Sequence, residues 1–148
     1  MFRGVTTLSL DTKGRLMVPS RYRDELSQQG DGRVVVTADP SKCLLLFPLQ
    51  AWEPIEQKLN SLSSFNPQTR SLQRLLVGNA ADLELDATGR ILLPAMLRDF
   101  ADLDKNVVLV GQGAKFELWN EMRWQAQMDL ALTGSHEEMP DELAGFTL

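Results

Sequence analysis

Two residue types recur with the same spacing at two places in the chain. An aspartate is followed four residues later by an arginine in Asp11-x-x-x-Arg15 and again in Asp86-x-x-x-Arg90, and a glycine precedes each arginine. An arginine beside a tight turn can offer its planar guanidinium to a phosphate group or to the edge of a guanine. The same spacing also allows a simpler interpretation, in which each aspartate pairs with its own arginine across the turn. Because such exposed pairs stabilise a protein little, stability alone is a weak reason for them.

The net charge of −5 is unevenly distributed along the chain. Residues 1–48 carry +2 and residues 49–76 carry +1, whereas residues 77–124 carry −3 and residues 125–148 carry −5. Arg3 and Lys13 lie close in sequence to the first Asp/Arg pair. A low overall charge therefore does not exclude nucleic-acid binding, because the basic residues are concentrated near the first pair.

The residues that catalysis, metal binding or nucleotide binding would need are scarce in the sequence. His136 is the only histidine and lies in an acidic segment, and Cys43 is the only cysteine, so a histidine-based triad, a zinc–cysteine site and an internal disulfide are not expected. Glycine loops that bind nucleotides are also missing. We expect neither an enzyme nor a protein with a cofactor or a metal. The sequence has no apolar run of about 20 residues and no signal-peptide pattern, so a cytoplasmic protein without membrane contact is the simplest interpretation.

The Asp/Arg pairs belong to an internal repeat. When residues 8–26 are set on residues 83–101, eight of nineteen positions are identical, and the similarity continues with Val34 on Val107 and Trp52 on Trp124. Such a repeat indicates one supersecondary unit present twice. Each copy is close to the lower size limit for independent folding, so we expect the two copies to share a core.

Each copy predicts the order β-β-α-β-β. Asp11-Thr12-Lys13-Gly14 is typical of a tight turn between two strands, because aspartate can cap the turn and glycine can take a positive φ. The strands are predicted at 5–10, 15–18, 33–37 and 43–47 with a helix at 19–26, and in the second copy at 83–85, 90–93, 107–110 and 116–119 with a helix at 94–100. Further helices are predicted at 52–59, from Pro67 to Gly78, and at 121–132. Trp52, Trp119 and Trp124 are expected in the core or in an interface.

These elements divide the chain into four parts. We expect a first unit at 1–54, a helical connection at 55–78, a second unit at 79–124, and a helix with an acidic tail at 125–148. Arg23 and Arg98 occupy the same place in both copies, which favours a structural role, with Asp24 or Asp99 as a candidate partner.

Each copy resembles the AbrB/SpoVT swapped-hairpin motif, a strand followed by D-x-x-G-R and an apolar strand that ends in proline. Two copies in one chain, the opening MFRG and the W-E after the first unit resemble the MraZ family of bacterial transcriptional regulators. The resemblance covers residues 1–124. The duplicated DTKGR and DATGR sequences make it specific, whereas a single D-x-x-G-R would be weak evidence.

The resemblance implies a fold and a function. The fold would be mainly β with short helices (α+β), with the two units interleaved as a pseudo-two-fold swapped-hairpin barrel. Subunits would assemble into a closed ring that presents the loops to double-stranded promoter DNA with short direct repeats. The protein would repress its own operon in the division and cell-wall gene cluster, and would be cytoplasmic and nucleoid-associated.

The resemblance assigns DNA contact to Asp11 and Arg15 in the first copy and to Asp86 and Arg90 in the second. Arg3 and Lys13 are added here because of their charge and proximity. Lys13 is replaced by Thr88 in the second copy, whose surroundings are acidic, so we expect Arg15 to contribute before Arg90. The alternative is an antitoxin-like protein-interaction module that does not bind specific DNA.

Overall fold

The computed structural model describes residues 1–133, 141–143 and 145–147, so His136 and most of the predicted acidic tail lie outside the described residues. The chain has an α+β fold with antiparallel strand pairing and several short helices. The elements are β1 (Phe2–Ser9), β2 (Arg15–Met17), α1 (Ser20–Gln28), β3 (Arg33–Ala38), β4 (Leu44–Pro48), α2 (Leu49–Ser61), α3 (Pro67–Leu76), β5 (Ala81–Glu84), β6 (Arg90–Leu92), α4 (Ala95–Phe100), β7 (Asn106–Gly113), β8 (Lys115–Asn120), α5 (Glu121–Thr133) and a 3₁₀ helix (Asp141–Leu143).

The predicted order β-β-α-β-β is confirmed in both copies, and so are the helices that follow them. β1 begins earlier than predicted because Phe2 is buried against Tyr22 and Phe116. α2 begins at Leu49 rather than at Trp52, and Leu49 packs against the buried cluster that contains Trp52. Cys43, predicted to begin the fourth strand, is buried and lies one residue before β4.

Six strands form one sheet in the order β1-β7-β8-β4-β3-β5, and β2 pairs with β6 in a separate two-stranded ribbon. The expected barrel is not closed in the part of the chain that the structure describes, since β1 and β5 are the two edges of an open sheet. The second strand of each hairpin pairs with its counterpart in the ribbon and does not extend the larger sheet.

The two copies exchange strands. β1 of the first copy pairs with β7 of the second, and β5 of the second pairs with β3 of the first. The register is equivalent on both sides, because Leu8 faces Val107 and the matching Leu83 faces Val34. In the ribbon, the equivalent residues Leu16 and Ile91 face each other. The two copies thus share one core, as their small size led us to expect.

Two apolar clusters lie within the fold. The larger contains residues of both copies, among them Leu16, Ile91 and Phe116. The second packs α2 and neighbouring residues on Val35, Val108 and Trp119. Trp52 and Trp119 are buried and Trp124 packs against the second cluster, which confirms their predicted place in the core.

Candidate nucleic-acid interface

The first Asp/Arg pair lies on a tight turn between β1 and β2. The backbone N–H of Gly14 donates to the carbonyl of Asp11 at 3.0 Å, and the N–H of Asp11 donates to the carbonyl of Arg15 at 3.0 Å. Gly14 has a φ of +87°, a conformation that L side chains rarely adopt. The turn chemistry predicted from the sequence is therefore confirmed.

The carboxylate of Asp11 holds this turn together. Its Oδ1 accepts hydrogen bonds from the backbone N–H groups of Lys13 at 2.9 Å and Arg15 at 2.8 Å. Its Oδ2 accepts from the Nε of Arg15 at 2.6 Å. The hydrogen bond from the Arg15 backbone is the main cause that lowers the pKa of Asp11 from 3.8 to about 2. The carboxylate is thus charged at neutral pH and fixes both the turn and the arginine.

The second pair has the same geometry. Asp86 accepts from the backbone N–H of Arg90 at 2.9 Å and from its Nε at 3.0 Å, and the Arg90 backbone N–H is the main cause that lowers the pKa of Asp86. One difference follows from the sequence. The hydroxyl of Thr88 donates to Asp86 at 2.8 Å, whereas the lysine at the equivalent position in the first turn adds a positive charge there.

Both arginines use only part of their guanidinium group. Arg15 and Arg90 donate to the aspartates through Nε, and among the described residues no hydrogen bond is made by their Nη1 or Nη2 atoms. The simpler interpretation, internal pairing, is confirmed, but it leaves the two-pronged end of each guanidinium available for an external acceptor. The side chains remain 30% and 31% exposed. Pairing and external binding are therefore compatible.

Each turn is supported by an arginine of the other copy. The guanidinium of Arg98 lies against Gly14 so closely that a Cβ there would lie 2.5 Å from its Cζ atom. Arg98 also donates from Nε to the carbonyl of Leu93 at 3.1 Å. Arg23 lies in the same way against Gly89 and donates to the carbonyl of Val18 at 2.8 Å.

The predicted structural role of Arg23 and Arg98 is confirmed, but the candidate partners are wrong. Asp24 and Asp99 make no ion pair with them in the described chain. An aspartate that directly follows an arginine on a helix points away from it, because adjacent helical residues do not face each other. The presence of both arginines in the repeat was the signal for their role, and only the fold shows their partners.

The structure places four of the predicted site residues on the two turns and the ribbon between them: Asp11, Arg15, Asp86 and Arg90. Lys13 also lies on the first turn. Arg3 is separate, since it pairs with Gln112 near the other end of β1. Eight residues of extended chain place it about 26 Å from Asp11. A cleft of 580 Å³ beside the first turn is lined in part by Arg98 and Lys105, and the sequence did not single out Lys105.

Metal and thiol chemistry find little support in the described residues. Within 1–133, 141–143 and 145–147, no cluster of three potential metal ligands occurs. Burial raises the pKa of the Cys43 thiol, so this cysteine remains protonated. In the same described residues, no helix has the length and apolar character needed to span a membrane.

Comparison with known proteins agrees with the duplicated architecture. The family model described as "MraZ protein, putative antitoxin-like" matches the chain twice, over residues 1–75 and 76–145. The chain belongs to the MraZ family. The family resemblance inferred from the repeated D-x-x-G-R sequences is thereby confirmed.

Named MraZ relatives align over the full length of both chains. Transcriptional regulator MraZ of Thiobacillus denitrificans is 68% identical over 148 residues, and the protein of the same name from Nitrosospira multiformis is 66% identical. A third, from Nitrosomonas europaea, is 59% identical, again with 100% of each chain covered. These names describe a regulator and not an enzyme, in agreement with the sequence-based prediction.

Proposed function

We propose that the chain is a sequence-specific DNA-binding transcriptional regulator that represses its own operon. One observation carries the proposal: Asp11 and Asp86 fix the guanidinium groups of Arg15 and Arg90 through Nε, while the Nη1 and Nη2 atoms make no hydrogen bond within the described chain. A guanidinium held in one orientation can donate two parallel hydrogen bonds to the O6 and N7 atoms of guanine. The names of the full-length relatives support the same role.

The charge of the site explains how attraction and selectivity would be divided. Because each arginine is paired with an aspartate, the turns themselves contribute orientation more than net charge. Lys13 on the first turn and Arg3 at the far end of β1 supply positive charge that would act on phosphates. Phosphate contacts position a protein on DNA, and base contacts determine sequence preference. We therefore assign base recognition to Arg15 and Arg90 and electrostatic attraction to Arg3 and Lys13.

Both turns would take part, with the first in the leading role. Arg15 and Arg90 lie on the same two-stranded ribbon, so an approaching duplex meets both. The first turn has Lys13 where the second has Thr88, whose hydroxyl is bound to Asp86. The additional charge favours Arg15 as the stronger contributor.

Assembly would strengthen binding. The exchange of β1 and β5 between the copies supports the swapped-hairpin arrangement, with units at 1–54 and 79–124, a helical connection at 55–78, and a helix with an acidic tail at 125–148. A closed ring of such subunits would place several ribbons on short direct repeats of promoter DNA, and simultaneous contacts would multiply modest single affinities. This regulator would act on nucleoid DNA in the cytoplasm.

A gel shift with the DNA upstream of this gene tests the proposal. Arg15→Ala should lower affinity by about 5- to 150-fold, the range for losing one bidentate base contact, and Arg90→Ala should lower it less. Arg70→Ala removes an exposed arginine from α3 and serves as the charge-matched control. Lys13→Ala should weaken binding to all sequences alike and reduce the salt dependence.

Two outcomes would contradict the proposal. An equal loss in Arg15→Ala and Arg70→Ala would show that the ribbon arginines contribute only charge. If the wild-type protein shifts no upstream DNA but captures a stoichiometric protein partner, the antitoxin-like alternative, which the words of the family description also mention, is the better explanation.

A further inference from the structure

The β2–β6 ribbon has a solvent-facing side whose composition the two turns do not account for. Side chains alternate between the two faces of a strand. Leu16 and Ile91 point into the core and are almost completely buried. Their neighbours therefore point outward: Arg15 and Met17 from β2, Arg90 and Leu92 from β6.

The outer face combines two arginines with two exposed apolar side chains. Met17 is 41% exposed and Leu92 is 54% exposed. In the register of the ribbon, Arg15 faces Leu92 and Met17 faces Arg90, so each cross-strand pair contains one guanidinium and one apolar group. Burying this face against an apolar surface would desolvate both arginines, which is costly. The mixture fits a surface that offers acceptors and methyl groups side by side.

The major groove of DNA is such a surface. It is wide enough to admit a two-stranded β-ribbon, guanine presents two acceptors there, and thymine presents its C5-methyl group. The two cross-strand pairs are about 6.7 Å apart along the ribbon, and two base steps along one DNA strand span about 6.8 Å. The ribbon and the groove therefore match in chemistry and in spacing.

We propose that Met17 and Leu92 are specificity residues that contact thymine methyl groups in the major groove, next to guanines bound by Arg15 and Arg90. This inference rests on the proposed DNA-binding function and adds a second class of base to it. It predicts that recognition depends on thymine methyls as well as on guanine acceptors. A site without suitably spaced thymines would keep its arginine contacts but lose the apolar ones.

The test uses the upstream DNA amplified either with thymine or with uracil, which lacks only the C5-methyl group. Wild-type protein should bind the thymine DNA about three- to fivefold more tightly for each methyl contacted, the effect of burying one methyl group. Met17→Ser/Leu92→Ser should bind both duplexes equally and more weakly. Met122→Ser, which alters a methionine on α5 that is 83% exposed, should discriminate like the wild type.

The failure of this inference can be told apart from the failure of the proposed function. Equal binding of both duplexes by the wild type, or discrimination kept by the double variant, would overturn the methyl contacts while DNA binding stands. A change in the assembly mass of the double variant, measured by light scattering, would instead assign Met17 and Leu92 to contact with a second copy and overturn the inference. No shift of either duplex by the wild type would overturn both proposals. Because Sδ of Met17 accepts a hydrogen bond from Nη2 of Arg23 at 3.1 Å, the double variant should unfold somewhat below the wild-type temperature, and binding is compared at a temperature where both proteins are folded.

Discussion

A single methyl group at Gly14 should test how the two copies hold each other's turns. A Cβ at this position would lie 2.5 Å from Cζ and 2.6 Å from Nε of Arg98, far inside van der Waals contact. Gly14 also has a φ of +87°, which strains any residue with a side chain. Gly14→Ala should therefore both strain the turn and displace the arginine of the other copy.

The two contributions can be estimated separately. The left-handed backbone costs about 1–2 kcal/mol for a residue other than glycine. Displacing Arg98 breaks its hydrogen bond to the carbonyl of Leu93, a loss of about 1.5–3 kcal/mol for a charged donor. The free energy of unfolding should fall by roughly 2.5–5 kcal/mol, and the melting temperature by roughly 5–20 °C for a chain of this size.

Gly113→Ala provides the matched control for the backbone contribution alone. Gly113 has a φ of +77°, and the nearest atom to an added Cβ is the terminal methyl of Met1 at 3.4 Å. Its melting temperature should fall by only roughly 2–8 °C. Thermal and urea unfolding followed by circular dichroism would measure both variants.

Combining the change with Arg98→Ala isolates the contact between the copies. Once the guanidinium is removed, Gly14→Ala should cost no more than Gly113→Ala does. The resulting coupling between Gly14 and Arg98 should be about 2 kcal/mol, since contacting residues are not additive. If Gly14→Ala costs the same free energy with and without Arg98, the guanidinium does not restrict this turn and the reasoning is wrong.

Three further predictions concern acid stability, the thiol and a buried hydroxyl. Because the folded state lowers the pKa values of Asp11 and Asp86, their charged carboxylates stabilise the fold above pH 3.8, and this stabilisation is lost as the pH falls towards 2. Asp11→Asn/Asp86→Asn should therefore lose less free energy of unfolding than the wild type between these pH values, as measured by urea titration. Equal losses in the two proteins would contradict this. Cys43 is buried with a raised pKa, so a thiol reagent should modify it only as fast as the protein unfolds, and rapid modification under native conditions would refute its burial. Thr37 is buried and its hydroxyl donates to the carbonyl of Leu76 at 2.5 Å, so Thr37→Val should lower the free energy of unfolding by about 1–3 kcal/mol, and an unchanged urea midpoint would show that α3 does not depend on this bond.

The turns could be predicted from the sequence because their chemistry is local. An aspartate that caps two backbone N–H groups and a glycine with positive φ are both encoded within five residues, and Asp11 and Gly14 behave as expected. The choice of strand partners is not local. A hairpin pattern favours pairing of neighbouring strands, but β2 pairs with β6 of the other copy because Leu16 and Ile91 are both buried there. Burial across the whole chain decides that pairing, and the larger sheet remains open at β1 and β5.

In the candidate site, too, local features could be predicted from the sequence and non-local ones could not. The repeated pattern in the sequence identified Asp11, Arg15, Asp86 and Arg90. It could not show which guanidinium nitrogens are hydrogen-bonded to the aspartates. Nor could it show that Met17 and Leu92 share the outer face with the arginines, because that depends on the register of the ribbon. The charge of the first turn was visible and remains the reason to rank Arg15 before Arg90.

The exchange of supporting arginines also bears on why the unit is duplicated. Arg98 of the second copy lies against the first turn, and Arg23 of the first copy lies against the second turn. The ribbon between them needs one strand from each copy. A single copy would therefore lack the partner strand, the supporting arginine and the other copy's share of the buried cluster around Leu16. Duplication within one chain supplies all three without a second molecule, and it allows the two turns to differ in charge while they keep the same geometry. Under the proposed function, the difference between Lys13 and Thr88 would adjust the attraction to DNA without moving either arginine.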